Sequence, residues 1–461
     1  MRRYHARWVL PITAPPVADG CVAVDDAGRI AYVGPRDGAP AGEDRDLGDA
    51  LLLPGLVNAH CHLELTGMRG FLEGLGFREW ILRLTTAKRA VLGREDLLDA
   101  ARLGVAEGLR AGITAYADTC DSGVAFDAML EAGVRGVMYQ EVFGPDPAQC
   151  ERSMAELRAK VDALRPRETA LVRVGISPHA PYTVSDALFA AAAAYSSEAA
   201  LPMAIHIAES ELESALVERG EGDFADGLRQ RGIEVAPRAL SPVQLLERLD
   251  VLARARPLLI HGVRLRDGDV QAVARHACAV AHCPASNAKL GHGIAPLREL
   301  LDAGIVVGLG SDSVASNNRM AILEEARLAA LFQSARLGRP DVVPAEEALA
   351  LATIGGARAI GIDDRVGSLE PGKDADLAAF SLGGIHAAAP TLDPVAAAVH
   401  ALSATPASFV AVAGRVLVED GRLVRAHAGV AERVQRAADR LGAWLADQRG
   451  SVPVPPASAT R

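Results

Sequence analysis

Between about Leu53 and Gly361 the chain alternates two patterns. Short apolar or β-branched runs are each followed by a longer segment rich in Ala, Leu, Glu and Arg, with apolar residues at helical spacing. The runs are "LPGLVNAHCH", "GITAYAD", "GVMYQEV", "LVRVGISPHAP", "PMAIHIAES", "PLLIHGV", "CAVAHCPAS" and "IVVGLGSDS". In the intervening segment Glu95–Arg110, residues Leu97, Leu98, Ala101, Val105 and Leu109 mark one helical face, and Gly112 stops the helix. Eight strands with helices between them predict a (β/α)8 barrel of the α/β class. An open doubly wound sheet would more often show a Gly-rich phosphate loop after an early strand, and none is present.

The chain ends carry a different pattern. "CVAVDDAGRIAYVG" (Cys21–Gly34) and "VLVEDGRLV" (Val416–Val424) read as hairpins that flank the barrel and can pair into one small β-domain. The expected organisation is residues 1–53 and 362–427 as that domain and 54–361 as the barrel. Residues 428–461 add an amphipathic helix from about Val430 to Gln448 and a disordered "GSVPVPPASATR" tail.

Composition narrows the setting. The chain has 461 residues, half of them hydrophobic, and a formal net charge of −10, which disfavours binding to nucleic acid or an anionic membrane. Six cysteines form no C-x-x-C pair, no run is long enough to span a bilayer, and the N-terminus lacks a signal-peptide pattern. A cytoplasmic location is expected.

The polar residues give the alternation its chemistry, because they fall at the C-terminal ends of the runs: His60 and His62, Asp118, Glu141, His179, His206 and Glu209, His261, His282, Asp312. In a barrel these ends share one face. Residues i and i+2 of a strand point the same way, so His60 and His62 project together while Cys61 turns to the packing layer. Two imidazoles so held suit a borderline metal such as zinc. A hydrolytic metal site needs neutral nitrogen and carboxylate ligands plus a position for water. His60, His62, His206 and Asp312 would supply the ligands, with Glu209 and His261 beside the water. Asp312 would take the water's proton, Glu209 would pass a proton to the substrate, and His261 would orient the nucleophile. Taken singly, each of these could be an ordinary strand-end histidine or a helix cap.

"PGLVNAHCH", "HIAES", "IHG", "HCPASNAKL", "GLGSDSVASNN" and "VGSLEPGKDADLAAF" together resemble the amidohydrolase superfamily. The nearest branch is that of the cytosine, guanine, s-triazine and S-adenosylhomocysteine/methylthioadenosine deaminases, and the likeness runs from about Leu53 to Phe380. It implies a distorted (β/α)8 barrel with a small β-sandwich built from both ends, hydrolytic deamination of a small heterocyclic substrate, the same residue roles, and a homodimer. Binuclear relatives bridge two metals with a carboxylated lysine on the fourth strand. That strand here is "LVRVGISPHAP", without lysine, so one divalent ion is expected, zinc or alternatively Fe2+.

The remaining candidates have two readings each. The resemblance makes His179 a substrate contact from the fourth strand, where a structural histidine is the alternative. Trp80 is an aromatic wall over a flat heterocycle or a core residue. Glu64 and Arg69 reach the pocket or pair at the surface. His282, Ser286, Asn287, Ser316, Asn317 and Asn318 read as loop residues, and His292 lacks a strand-end context. Where methylthioadenosine-type relatives place an acidic residue for the ribose, this chain has Lys88 and Arg89. That departure, with the "HCHLEL" element, favours a carboxylate-bearing adenosine such as the aminodeoxyfutalosine of the alternative menaquinone route, with Arg89 as a substrate contact. Methylthioadenosine or S-adenosylhomocysteine deamination, displacement on a triazine, and a non-catalytic scaffold are the alternatives.

Overall fold

The computed structural model describes residues 1–383 and 388–450. The tail expected to be disordered lies outside them, beyond residue 450.

Eight parallel strands form the centre. Leu56–Cys61, Ile113–Cys120, Arg135–Val142 and Val172–Pro178 make one four-stranded sheet, and Ala204–Ile207, Leu258–His261, Ala279–His282 and Val307–Leu309 make another. We refer to them as core strands one to eight. Single parallel bridges join the two sheets on both sides, Ile176 to Met203 and Cys61 to Asp312. Helices occupy every connection, as parallel pairing requires. Arg94–Arg110 leads into the second strand. It buries the predicted Leu97, Leu98, Ala101, Val105 and Leu109, and the chain then reverses at Gly112, whose φ of 85° favours glycine.

Both chain ends contribute to one nine-stranded sheet. Its middle strand, Ala50–Pro54, pairs parallel with Arg2–Val9 and antiparallel with Leu377–Ser381. Leu51 and Leu53 on one face join the core of the central strands, while Leu52 on the other joins Tyr4, Val22, Leu377 and Phe409. Side-chain alternation therefore explains why the whole of "ALLLP" is buried. The rings of Tyr4 and Phe409 lie 5.1 Å apart, although their strands are three positions apart in the sheet. A flat sheet would separate them by about 14 Å. The sheet therefore coils until its inner face meets itself, so a sandwich-like interior arises within one hydrogen-bonded path.

The late "GKDADLAAF" segment fastens this sheet to the centre. Arg135, buried at the start of the third core strand, donates to Asp374 (2.8 Å) and Asp376 (3.1 and 3.2 Å), and Arg365 also donates to Asp374 at 2.6 Å. The C-terminal helix, Val430–Gly450, packs along Arg94–Arg110 through Arg433–Asp99 and Arg440–Asp96 ion pairs. It also sets Leu441 into an apolar cluster with Phe77, Trp80 and Leu84 of the helix Phe77–Val91.

Candidate active site

The ends of core strands one, five, six and eight converge. Nε2 of His60 and of His62 stand 3.2 and 3.5 Å from Asp312 Oδ1, and Nε2 of His206 is 3.3 Å from that of His62. Tetrahedral ligands at zinc–nitrogen distances of 2.0–2.1 Å are spaced about 3.3 Å apart. These three separations suit a zinc-class ion, and the second hydrogen bonds reinforce the fit. Carbonyl oxygens only accept, so His62 Nδ1–H donates to Thr119 O (2.9 Å) and His206 Nδ1–H to His179 O (3.1 Å), which leaves both Nε2 lone pairs free. Burial lowers the His60 pKa to about 4 and also drives His62 and His206 down, so the imidazoles are neutral. Burial pushes Asp312 the other way, but the His60 hydrogen bond and the surrounding imidazoles outweigh it and hold the carboxyl well below its ordinary value.

The backbone that presents these groups is strained. Ala208, His261 and Asp312 have φ of 50°, 78° and 56°. Left-handed backbone in non-glycine residues persists only where the surroundings fix it. They do so here: Asp312 N donates to His60 O (3.0 Å), and the Asn58 side chain pairs with both the hydroxyl and the N–H of Ser311. A Cβ on Gly310 would stand 2.8 Å from His60 Cβ, so the second glycine of "GLGSDS" is what lets the eighth strand approach the first. Ser286 and Ser316 donate to Asp312 Oδ2, leaving Oδ1 toward the histidines. The sequence reads both serines as loop residues, whereas the structure sets them on the carboxylate.

Glu209 follows the fifth strand. Its Oε1 lies 3.6 Å from His261 Nε2 and 3.4 Å from His292 Nε2, and Tyr182 Oη lies 3.4 Å from Oε2. Burial pushes its pKa up, but His261 and His292 pull harder and leave it below the usual value. The turn is held by Glu213, whose carboxylate accepts the N–H groups of Ala208 and Glu209, each at 2.8 Å. His261 donates through Nδ1–H to Asn287 Oδ1 at 2.9 Å.

His179 is brought to the cluster, its ring 4.7 Å from that of His206 and its Nδ1 2.8 Å from Thr183 Oγ1. Beside it is Glu141, buried, with Oε1 lacking a hydrogen-bond partner among the described residues. Both nitrogens of His282 are buried without hydrogen-bond partners among the described residues.

Trp80 is packed in the apolar cluster with Met68 and Leu84. The aromatic residue of that helix that reaches the site is Phe77, whose ring lies 4.4 Å from that of His292. The structure also revises the basic pair. Adjacent helical residues point about 100° apart, so Lys88 and Arg89 cannot face inward together. Lys88 does, and it donates to Glu64, which also accepts from Ser122 and Cys120. Arg89 is exposed and is not brought to the cluster, so the expected carboxylate contact from Arg89 loses its geometric basis and Lys88 is already neutralised. Phe77 and His292 were missed because they lie on a helix and a loop; the one available signal was the pair of glycines around His292.

Residues 51–417 match the amidohydrolase family, to which the chain belongs. It is therefore a hydrolase acting on carbon–nitrogen bonds. A 5-methylthioadenosine/S-adenosylhomocysteine deaminase of Moorella thermoacetica is 32% identical over 420 residues, 90% of this chain and 93% of that one. A 5'-deoxyadenosine deaminase of Methanothermobacter thermautotrophicus is 33% identical, over 89% of this chain and 93% of its own. Among solved structures, a zinc-bound adenosine deaminase of Xanthomonas campestris superposes with a TM-score of 0.85 at 29% identity, covering 96% of this chain and 98% of its own. The Helicobacter pylori aminofutalosine deaminase superposes with a TM-score of 0.79 at 19% identity over 91% of this chain and all of its own, a likeness of fold alone. These neighbours imply a TIM barrel. Among the described residues no helix is long and apolar enough to cross a membrane.

Proposed function

We propose that the chain is a single-metal hydrolytic deaminase of adenine nucleosides modified at the 5' position, with the eight strands closed into a barrel. The observation that carries this is the meeting of His60, His62, His206 and Asp312 beside Glu209 and His261. In this reading the first four hold one zinc or iron ion, which when bound supplies an activated water and charge stabilisation. Asp312 Oδ1, turned toward the histidines while the serines hold Oδ2, takes a proton from the attacking water. Glu209 relays that proton from Asp312 to the ring nitrogen next to the amino-bearing carbon, then takes the water's second proton from the newly formed carbon-bound hydroxyl and carries it to the amine as it leaves as ammonia. His261, fixed by Asn287, lies where it orients the water and stabilises the charge that develops. His179 is assigned to the heterocycle's far edge.

The 5'-modified substrate class is supported by relatives sharing about a third of their residues with this chain along most of its length. Aminodeoxyfutalosine has less support, because Lys88 is paired with Glu64 and Arg89 is exposed.

The test is ammonia release by the metal-loaded protein from methylthioadenosine, S-adenosylhomocysteine, 5'-deoxyadenosine, aminodeoxyfutalosine, adenosine and guanine. A 5'-modified adenosine should be deaminated best. Glu209→Gln should retain one metal equivalent yet lose about 100-fold or more in kcat, the usual scale for a general acid–base group. Full turnover by that variant, or two metal equivalents in active protein, would overturn the assignment.

A further inference from the structure

Gly291 and Gly293, with φ of 73° and 107°, turn the chain sharply on both sides of His292 and present its ring inward. The ring is 4% exposed. Its backbone N–H is anchored on Asn287 O at 2.9 Å, and the Asn287 side chain is the partner of His261. One short segment therefore sets two imidazoles against a single carboxylate oxygen, Oε1 of Glu209, at 3.4 and 3.6 Å. His292 Nε2 is buried and makes no hydrogen bond among the described residues, so Glu209 Oε1 at 3.4 Å is a charged neighbour it approaches without yet bonding.

We propose that His292 is a positioning residue for Glu209. By occupying Oε1 together with His261, it blocks rotation of the carboxylate and leaves Oε2, beside the Tyr182 hydroxyl, as the oxygen that exchanges protons with the substrate. The inference rests on the deaminase reading above. The 3.4 Å separation is longer than a good hydrogen bond, as catalytic contacts commonly are until substrate closes the site. The competing account is that the ring only packs against Phe77.

The two accounts predict different behaviour. In the metal-loaded full chain, His292→Phe preserves an aromatic ring against Phe77 but removes the polar contact, whereas His292→Gln keeps a donor without the ring. Positioning predicts that His292→Phe loses about 100-fold in kcat, the scale of a misplaced catalytic group. KM should stay within about threefold and metal content at one equivalent. His292→Gln should recover a substantial part of the rate, and free imidazole should restore turnover to His292→Ala. Unchanged kcat in His292→Phe, equal losses in the Phe and Gln variants, or a loss confined to KM would overturn the inference. Wild-type silence across the substrate panel would overturn the deaminase reading and this inference with it. An active wild type beside a fully active His292→Phe overturns this inference alone.

Discussion

At the scale of single residues, the polar set at the strand ends was legible because strand alternation converts spacing into direction. His60, His62, His206, His261, Glu209 and Asp312 needed only that rule and a common barrel face to be grouped together, and the structure gathers them. Lys88 and Arg89 show its limit. Sequence put two cations in one neighbourhood, but helical rotation separates them and Glu64 neutralises the inner one. Glu213 was invisible for another reason, since it touches only backbone. Burial pushes its pKa up to about 8, and its two oxygens accept two N–H groups, a task that an amide cannot duplicate because its nitrogen cannot accept. Glu213→Gln should therefore cost about 1–3 kcal/mol of stability, and kcat should fall about tenfold or more as the Glu209 turn shifts. Denaturation and steady-state kinetics on the same preparation check both; unchanged values in each would remove the role assigned to Glu213.

At the scale of elements, the eight strands and their order were readable from the apolar runs, and the helix ending at Gly112 from its periodicity and stop signal. What neighbouring elements do to one another was not. No local pattern announces that the C-terminal helix seats Leu441 against Phe77 and Trp80, because those residues are more than 350 positions apart in sequence. That helix backs the very element that reaches His292. Leu441 is 1% exposed, so Leu441→Ala should destabilise the fold by about 2–4 kcal/mol through lost burial and a residual cavity. A fall in melting temperature together with a weakened rate would show that the helix supports the site wall. An unchanged melting temperature would mean the contact carries little.

For the whole molecule, the buried imidazoles set an acid limit. Burial drives His60 to about 4 and both His179 and His282 to about 3, against about 6.5 when unfolded. Between those values the unfolded chain binds more protons than the folded one. Stability is therefore fully present above pH 6.5 and lost as pH falls toward 4 and below. Metal-free protein should show melting temperatures that drop steeply across that window, and His282→Asn should flatten the slope. A flat profile in the wild type would show that these rings are not buried as neutral groups.

The strand Ala50–Pro54 lies between a partner that precedes it in the chain and one that begins 323 residues after it, at Leu377. On a ribosome adding about 5–20 residues per second, its second edge stays open for roughly 15–65 s after the strand itself is made. Throughout that interval an apolar "LLL" edge is available to any passing strand. Synthesis that stops before Leu377 leaves it permanently unpaired, so the last fifth of the chain acts as the closure that shields the nascent first tenth from aggregation.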